Sequence, residues 1–429
     1  MAKKEKKEKV KKKGGAKKFF KGFGIALCVL IVVVGVCVLI TYISSESNIK
    51  YASEMKAVDN ENALSAPTID EETGYWTFVC DRDFKVMQLT DVHIGGGFMS
   101  MQKDNWALNA VATMINEEKP DLVIVTGDLG YPVPFSAGTF NNLIPIMEFS
   151  TMMESLQVYW TFTYGNHDTE AYSYYDRKDI DDYYVENINN GKLKYCLYQS
   201  GFCGDNKEGY EGIEANAGYG NTIINVKNSS GAITQSFIMI DSHSYESGFF
   251  QDYDHIHQCQ IDWYSQEINK LNEINKDVLG VDSGMTIKSL AFFHIPLEEY
   301  KDAYVEYVEN GYKDTDNVTM IFGKMGEEVD GKWIYHGVTP ENMFETMLEL
   351  GSTKGVFCGH DHYNNFSLMY NGGEGDDYIR LTYGMSIDYL AYIGIAKETA
   401  QRGCTIITTK TDGTFDCYGL RLVDLEIID

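Results

Sequence analysis

The sequence predicts an α/β domain built on a largely parallel sheet, preceded by one apolar helix. Three features predict it. Short runs of β-branched and aromatic residues recur from residue 84 onward, apolar residues at helical spacing separate the first two, and residues 22–45 hold no charged side chain. Strand, helix, strand in that rhythm marks βαβ units. The 429 residues, 44% hydrophobic and 23% charged, exclude disorder throughout and suffice for one large or two ordinary domains.

The elements follow in order. Residues 1–21 form a basic tail with eleven Lys against two Glu, a local +9. Taken from the net charge of −27, this leaves about −36 on the rest, which argues against nucleic acid as a ligand of the globular part. Ile25 to Ile43 is nearly pure Ile, Val, Leu, Cys and Gly. At about 1.5 Å per residue it crosses a bilayer core, so residues 22–43 are assigned as a transmembrane anchor in contact with lipid. A cleaved signal peptide is the rival, but its apolar region is about 7–15 residues and Ile40-Thr41-Tyr42-Ile43 offers no small-residue site. Basic flanks stay inside, so the expectation is a single pass of the cell membrane, amino terminus cytoplasmic and the remainder extracellular. Residues 44–72 are polar and aperiodic, and read as a stalk or linker, or as a loosely docked segment.

Residues 73–429 read as the folded domain. Strands are expected at Phe84–Thr90, Leu122–Thr126, Val158–Phe162, Phe237–Ile240, Leu290–Phe293 and Gly355–Cys358, with a helix from Asn105 to Glu118 that Pro120 stops. Tyr378–Tyr383, Cys404–Thr409 and Thr414–Leu422 lack helices between them, so the sheet gains antiparallel strands late; Thr411-Asp412-Gly413 is a hairpin turn. Two acidic, Tyr-rich inserts, 169–235 and 298–350, read as surface elaboration or as a lid over a site. Nine Cys form no C-x-x-C pair; Cys196 and Cys203 are close enough to bridge, or all are buried thiols.

Five short blocks each follow an expected strand: Asp91-Val92-His93, Gly127-Asp128, Gly165-Asn166-His167-Asp168, His294, and Gly359-His360-Asp361-His362. Parallel α/β sheets bind ligands at the carboxyl ends of their strands, so these side chains can converge. Imidazoles with carboxylates suit zinc, iron, manganese or cobalt. Asp91, His93, Asp128, Asn166, His294, His360 and His362 supply seven donors, and one bridging carboxylate makes two four-ligand sets. Two divalent ions less two carboxylates leave about +2, which attracts a phosphate oxyanion.

The blocks resemble the calcineurin-like metallophosphoesterase superfamily, whose pattern runs D-x-H, G-D, G-N-H-[DE], H, G-H-x-H, over residues 84–363. The resemblance implies a four-layer α-β-β-α sandwich and two transition-metal ions, Mn, Fe or Zn. It implies that Asp91, His93, Asp128 and His362 hold one ion, that Asp128, Asn166, His294 and His360 hold the other, that His167 donates a proton and that Asp168 orients it. Asp128-Leu129-Gly130-Tyr131 looks like the G-D-x-x-Y block of purple acid phosphatases, although His93 departs from them; Tyr131 is a ligand or an aromatic wall. The expected activity is hydrolysis of a small phosphate ester, a monoester first, by ion-activated water. The alternatives are a phosphodiesterase, nucleotidase or pyrophosphatase on nucleotide or lipid-linked substrates, or a scaffold without turnover. His243 is a candidate for an outer position near the ions; His255 and His257 are expected on loop surface.

Overall fold

The computed structural model describes residues 2–202, 217–246, 252–280, 286–326, 334–339, 341–373, 375, 377–392 and 402–425, with side chains from residue 18 onward. The element order is α1 (Ala2–Ser53), β1 (Thr68–Ile69), β2 (Trp76–Val79), β3 (Phe84–Leu89), α2 (Met101–Glu118), β4 (Leu122–Thr126), α3 (Leu143–Leu156), β5 (Trp160–Thr163), α4 (Arg177–Asn189) and β6 (Thr222–Lys227). It continues through β7 (Ile233–Met239), α5 (Gln258–Leu279), β8 (Ser289–Phe292), α6 (Glu298–Glu309), β9 (Val318–Phe322), α7 (Met343–Leu350), β10 (Thr353–Cys358), β11 (Ser367–Tyr370), β12 (Ile379–Tyr383), β13 (Gly403–Thr409) and β14 (Phe415–Arg421).

Two sheets face each other. One has nine strands in the order β1-β2-β6-β7-β8-β10-β12-β11-β9, the other five, β14-β13-β3-β4-β5. Alternation along each strand builds the layers. Phe84, Val86, Leu122 and Ile124 point inward to Phe237, Leu290, Phe292 and Phe357 of the other sheet. Met87, Leu89, Val123 and Val125 point outward to Leu108, Val111, Phe149 and Met152 of α2 and α3. On the far side Ile238, Ala291 and Val356 meet Trp263, Ile268, Tyr300 and Met347 of α5, α6 and α7. The result is the expected α-β-β-α sandwich. Strands β3, β4 and β5 are parallel, as are β7, β8, β10 and β12, while β11, β13 and β14 add antiparallel pairings late in the chain. Lys410 N–H donates to Thr414 O at 2.8 Å across the expected hairpin turn.

Among the described residues one helix, α1, is long and apolar enough to cross a membrane. Over the first ten residues of the segment expected as a stalk or a docked stretch, α1 runs unbroken to Ser53. Thr41, Ser44, Ser45, Asn48 and Ala52 fall on one helical stripe and are buried against α2 and α3. The stripe is polar, so hydrophobic periodicity does not reveal it. Beyond it, Val58 N–H donates to Leu156 O at 3.0 Å. Among the described residues the cysteines outside α1 are buried; Cys203, and with it the Cys196–Cys203 pairing, lies outside them.

Under α1 sits a buried acidic pair. Glu148 on α3 accepts from Asn48 Nδ2 at 3.4 Å. Burial, then the charge of Asp104, push its carboxyl well above the usual range. Burial raises Asp104 to about 7, against hydrogen bonds from Gly95, Ser100 and Gly96. Both groups bind protons more tightly folded than unfolded. The stability they contribute is therefore full below the unfolded values near pH 4 and is lost as pH rises through the folded ones. Glu148→Gln removes that loss. The variant is expected to melt higher than the parent at pH 8, by about 2 °C for ~1 kcal/mol, with the gap shrinking toward pH 5 in scanning calorimetry.

Candidate metal centre

The donors meet where the two sheets' strands end. Asp91 and His93 follow β3, Asp128 follows β4, Asn166 and His167 follow β5, His294 follows β8, and His360 and His362 follow β10. Four of them, Asp91 (φ 49°), His93 (52°), Asp128 (52°) and His360 (79°), hold left-handed backbone. Non-glycine residues seldom adopt it, and it clusters at functional sites. The glycines of the blocks serve close approach: a Cβ on Gly165 would lie 2.1 Å from Asp128 Oδ1, and one on Gly359 1.8 Å from Thr90 Oγ1.

Asp91, His93, Asp128 and His362 each offer one donor atom within 4.8 Å of the others, and all four are buried. His93 Nε2 lies 3.4 Å from Asp128 Oδ2, and His362 Nε2 3.3 Å from Asp91 Oδ1. Beside them, His294 Nε2 lies 3.2 Å from Asp128 Oδ2 and 3.1 Å from Asn166 Oδ1, and His360 Nδ1 lies 3.0 Å from the same amide oxygen. Asp128 belongs to both groups. All seven expected donors are thus brought together.

The arrangement fits cations. His294 Nδ1 donates to Thr126 O at 2.8 Å, which turns Nε2 toward two oxygens and, at 3.3 Å, His360 Nδ1. Acceptors aimed at one another need a positive charge between them. Burial opposes charge on His294, yet the Asp128 carboxylate raises its pKa to about 9. Asp128 is itself held well below the usual range, against burial, by His294 and His167. Asp91 Oδ1 is buried without a hydrogen-bond partner, while Oδ2 accepts from Thr90 Oγ1 at 2.8 Å and His360 N–H at 3.2 Å.

One supporting carboxylate is absent from the sequence reading. Asp388 Oδ2 lies 3.4 Å from Nδ1 of both His93 and His362, turning both Nε2 atoms toward the centre. Three backbone amides fix it, Leu390, Ala391 and Tyr392, at 2.7, 2.8 and 2.6 Å. No short motif carries Asp388, which follows β12 in a segment without other ligands. Asp388→Asn is expected to weaken the nearer ion about 10- to 100-fold in a metal-titration experiment while sparing the second.

The expected role of Asp168 is corrected. Its carboxylate accepts backbone N–H groups of Gly165 and Asp128 at Oδ2 (2.8 and 3.0 Å) and of Gly130 at Oδ1 (2.9 Å), so it clamps the loops. The carboxylate at His167 is Glu170, whose Oε1 lies 2.8 Å from Nδ1. Tyr245 OH donates to that Oε1 at 3.1 Å and accepts from Asn166 Nδ2 at 3.0 Å, which points Asn166 Oδ1 at the centre. Tyr131 stacks on His93 with ring centres 4.8 Å apart at 24°, as an aromatic wall. His243 is turned away onto Gln260 Oε1 at 3.0 Å; its neighbour Ser242 accepts from the backbone of His294 and Ile295 instead. His255 and His257 are half-buried beside Asp254, not on open surface. A cavity of about 220 Å³ opens over the centre, lined by His167, Tyr253, Tyr335 and Tyr392. Tyr335 comes from the second insert and Glu170 from the first, so both inserts reach the site.

Among known proteins, the chain is 25% identical over 334 residues to "Probable inactive purple acid phosphatase 29" of Arabidopsis thaliana, covering 73% of this chain and 74% of that one. It is 25% identical over 300 residues to "Phosphatase DCR2" of Saccharomyces cerevisiae, covering 66% of this chain and 45% of that one. A dimetal phosphatase from Danio rerio aligns at TM-score 0.43 and 9% identity over 79% of this chain and 99% of that chain. The family model "Calcineurin-like phosphoesterase" matches residues 84–364, a span that contains all seven donors and His167, and the chain belongs to that family.

Proposed function

We propose that this chain is a membrane-anchored phosphoesterase that hydrolyses phosphate esters, monoesters first, with its catalytic domain outside the cell. The observation that carries the reading is the convergence of seven donors in two groups sharing Asp128, with His167 alongside. Asp91, His93, Asp128 and His362 would hold one ion, and Asp128, Asn166, His294 and His360 the other. When bound, such a pair neutralises phosphate charge and acidifies water. The chain supplies the rest. His167 N–H donates to Asp128 Oδ1 at 2.8 Å, fixing this residue beside the centre. Glu170 holds Nδ1, so Nε2 is the nitrogen that hands a proton to the departing oxygen. Tyr253, Tyr335 and Tyr392 narrow the cavity and reduce water around the leaving group.

The preference for monoesters rests on the Gly127-Asp128-Leu129-Gly130-Tyr131 run and on relatives whose names include purple acid phosphatase. The anchor reading draws on the apolar length of α1 and on its burial against the domain as far as Ala52. The name "Probable inactive purple acid phosphatase" that several relatives carry favours a second reading, phosphate binding without turnover. Full-length protein in detergent, loaded in turn with manganese, zinc and iron, separates the two. Turnover of p-nitrophenyl phosphate above that of bis(p-nitrophenyl) phosphate is expected. Phosphate binding with no turnover under any loading would favour the second reading, and preference for the diester would overturn the substrate class.

A further inference from the structure

The contacts of α1 fix the domain's attitude. Thr41 Oγ1 donates to Gly138 O at 3.4 Å, and Asn48 Nδ2 to Met101 O at 3.4 Å. Farther along, Val58 N–H meets Leu156 O at 3.0 Å, and Asn60 Nδ2 meets Lys119 O at 3.5 Å. Met101 starts α2 and Lys119 caps its end; Leu156 ends α3. The chain therefore runs alongside α2 and α3 from their beginnings to their ends. Those beginnings adjoin the carboxyl ends of β3 and β4, the edge that bears Asp91 and Asp128. Thr41 still lies inside the uncharged run that ends at Ser45. Seven residues of helix separate Thr41 from Asn48, about 10 Å. The catalytic edge is thus the edge nearest the span.

That edge carries apolar side chains that no described residue covers. Phe135 is 91% exposed, in the loop that runs from Tyr131 at the centre to Gly138 at Thr41. Met99, 52% exposed, is tied to the same loop by its N–H to Ala137 O at 3.0 Å. Phe140 stacks on Tyr174, which is 65% exposed, with ring centres 6.2 Å apart. Aromatic rings at the end of a membrane span suit the head-group layer. Their position beside residue 41 makes the bilayer their natural occupant.

We infer that the catalytic edge is turned toward the bilayer, with Phe135 and its neighbours seated in the interface, and that the substrate is a phosphate ester carried on an amphiphile in that surface. The inference rests on the anchored-phosphoesterase reading and narrows its substrate class. The chemistry recognised is the phosphate monoester head; a phosphate in free solution and one on a lipid differ only in how they reach the site.

The test uses the full chain reconstituted into phosphatidylcholine vesicles. Phe135→Trp is compared with the parent chain and with Leu279→Trp. Leu279 ends α5, in the opposite helical layer, and shares a cavity with Ile233 and Lys288 at the starts of β7 and β8, the opposite sheet edge. The expected result is a blue shift of the emission added at 135 and its loss with brominated lipid, and neither at 279. Equal behaviour at the two positions would overturn the orientation. In parallel, hydrolysis of long-chain phosphatidate in the vesicles is compared with a dispersed short-chain phosphatidate and p-nitrophenyl phosphate. Faster turnover of the vesicle-held substrate supports the inference, and turnover of the dispersed esters alone overturns it. Quenching at 135 with no turnover of any ester supports the orientation and overturns the hydrolase reading by itself.

Discussion

Asp128→Asn is expected to strip both ions and to lower phosphoester turnover at least ~10³-fold, a loss of several kcal/mol of charge stabilisation. Asp128 is the side chain common to both donor groups, with Oδ2 within 3.4 Å of His93 Nε2 and 3.2 Å of His294 Nε2. Its Oδ1 accepts the N–H of His167 at 2.8 Å. The amide keeps the shape and one oxygen but removes the charge that faces two imidazoles. Elemental analysis of the purified variant reads the metal content directly. A variant that kept two ions per chain would show that Asp128 is not the shared ligand. Asn tolerates left-handed backbone, so the substitution tests charge and not folding.

His167→Ala is expected to leave both ions in place and to lower turnover of esters with poor leaving groups about 10²- to 10⁴-fold. The loss should be smaller for p-nitrophenyl phosphate, whose leaving group departs with little need of a proton. His167 contributes its backbone to Asp128, which alanine retains, while its ring reaches the cavity and Glu170. Equal losses for good and poor leaving groups, or loss of metal, would assign His167 a role in holding the centre instead.

The fold was legible where local patterns repeat. The runs at 84–90, 122–126 and 355–358 became β3, β4 and β10 within a residue or two, because a strand buried on both faces is continuously apolar. The edge strands β1 and β9 were not, since a two-residue strand and a half-exposed one leave no period to read. The donors were legible because each sits in a short block after a strand. Asp388, Glu170 and Tyr245 were not: their meaning comes from what faces them across the fold, and no spacing in the chain encodes it. Asp168 misled for the complementary reason. The family resemblance assigned it to orient His167, while the turn sends its carboxylate back onto three amides. The docked end of α1 was legible only as one of two alternatives, because Ser44, Ser45 and Asn48 bury small polar side chains where an apolar stripe is ordinarily sought.

The left-handed backbone at Asp91, His93, Asp128 and His360 sets the geometry of the donors against durability. Each such residue holds a conformation about 1 kcal/mol or more above the ordinary basins. The sandwich beneath must absorb that tension whether or not a reaction is under way. Glycine at one of these four places would relax the loop, so a chemically dead chain can outlast its parent on heating. Selection for heat tolerance alone would therefore erode the donors first, and a survivor of that kind should be checked for turnover before its gain is credited to better packing.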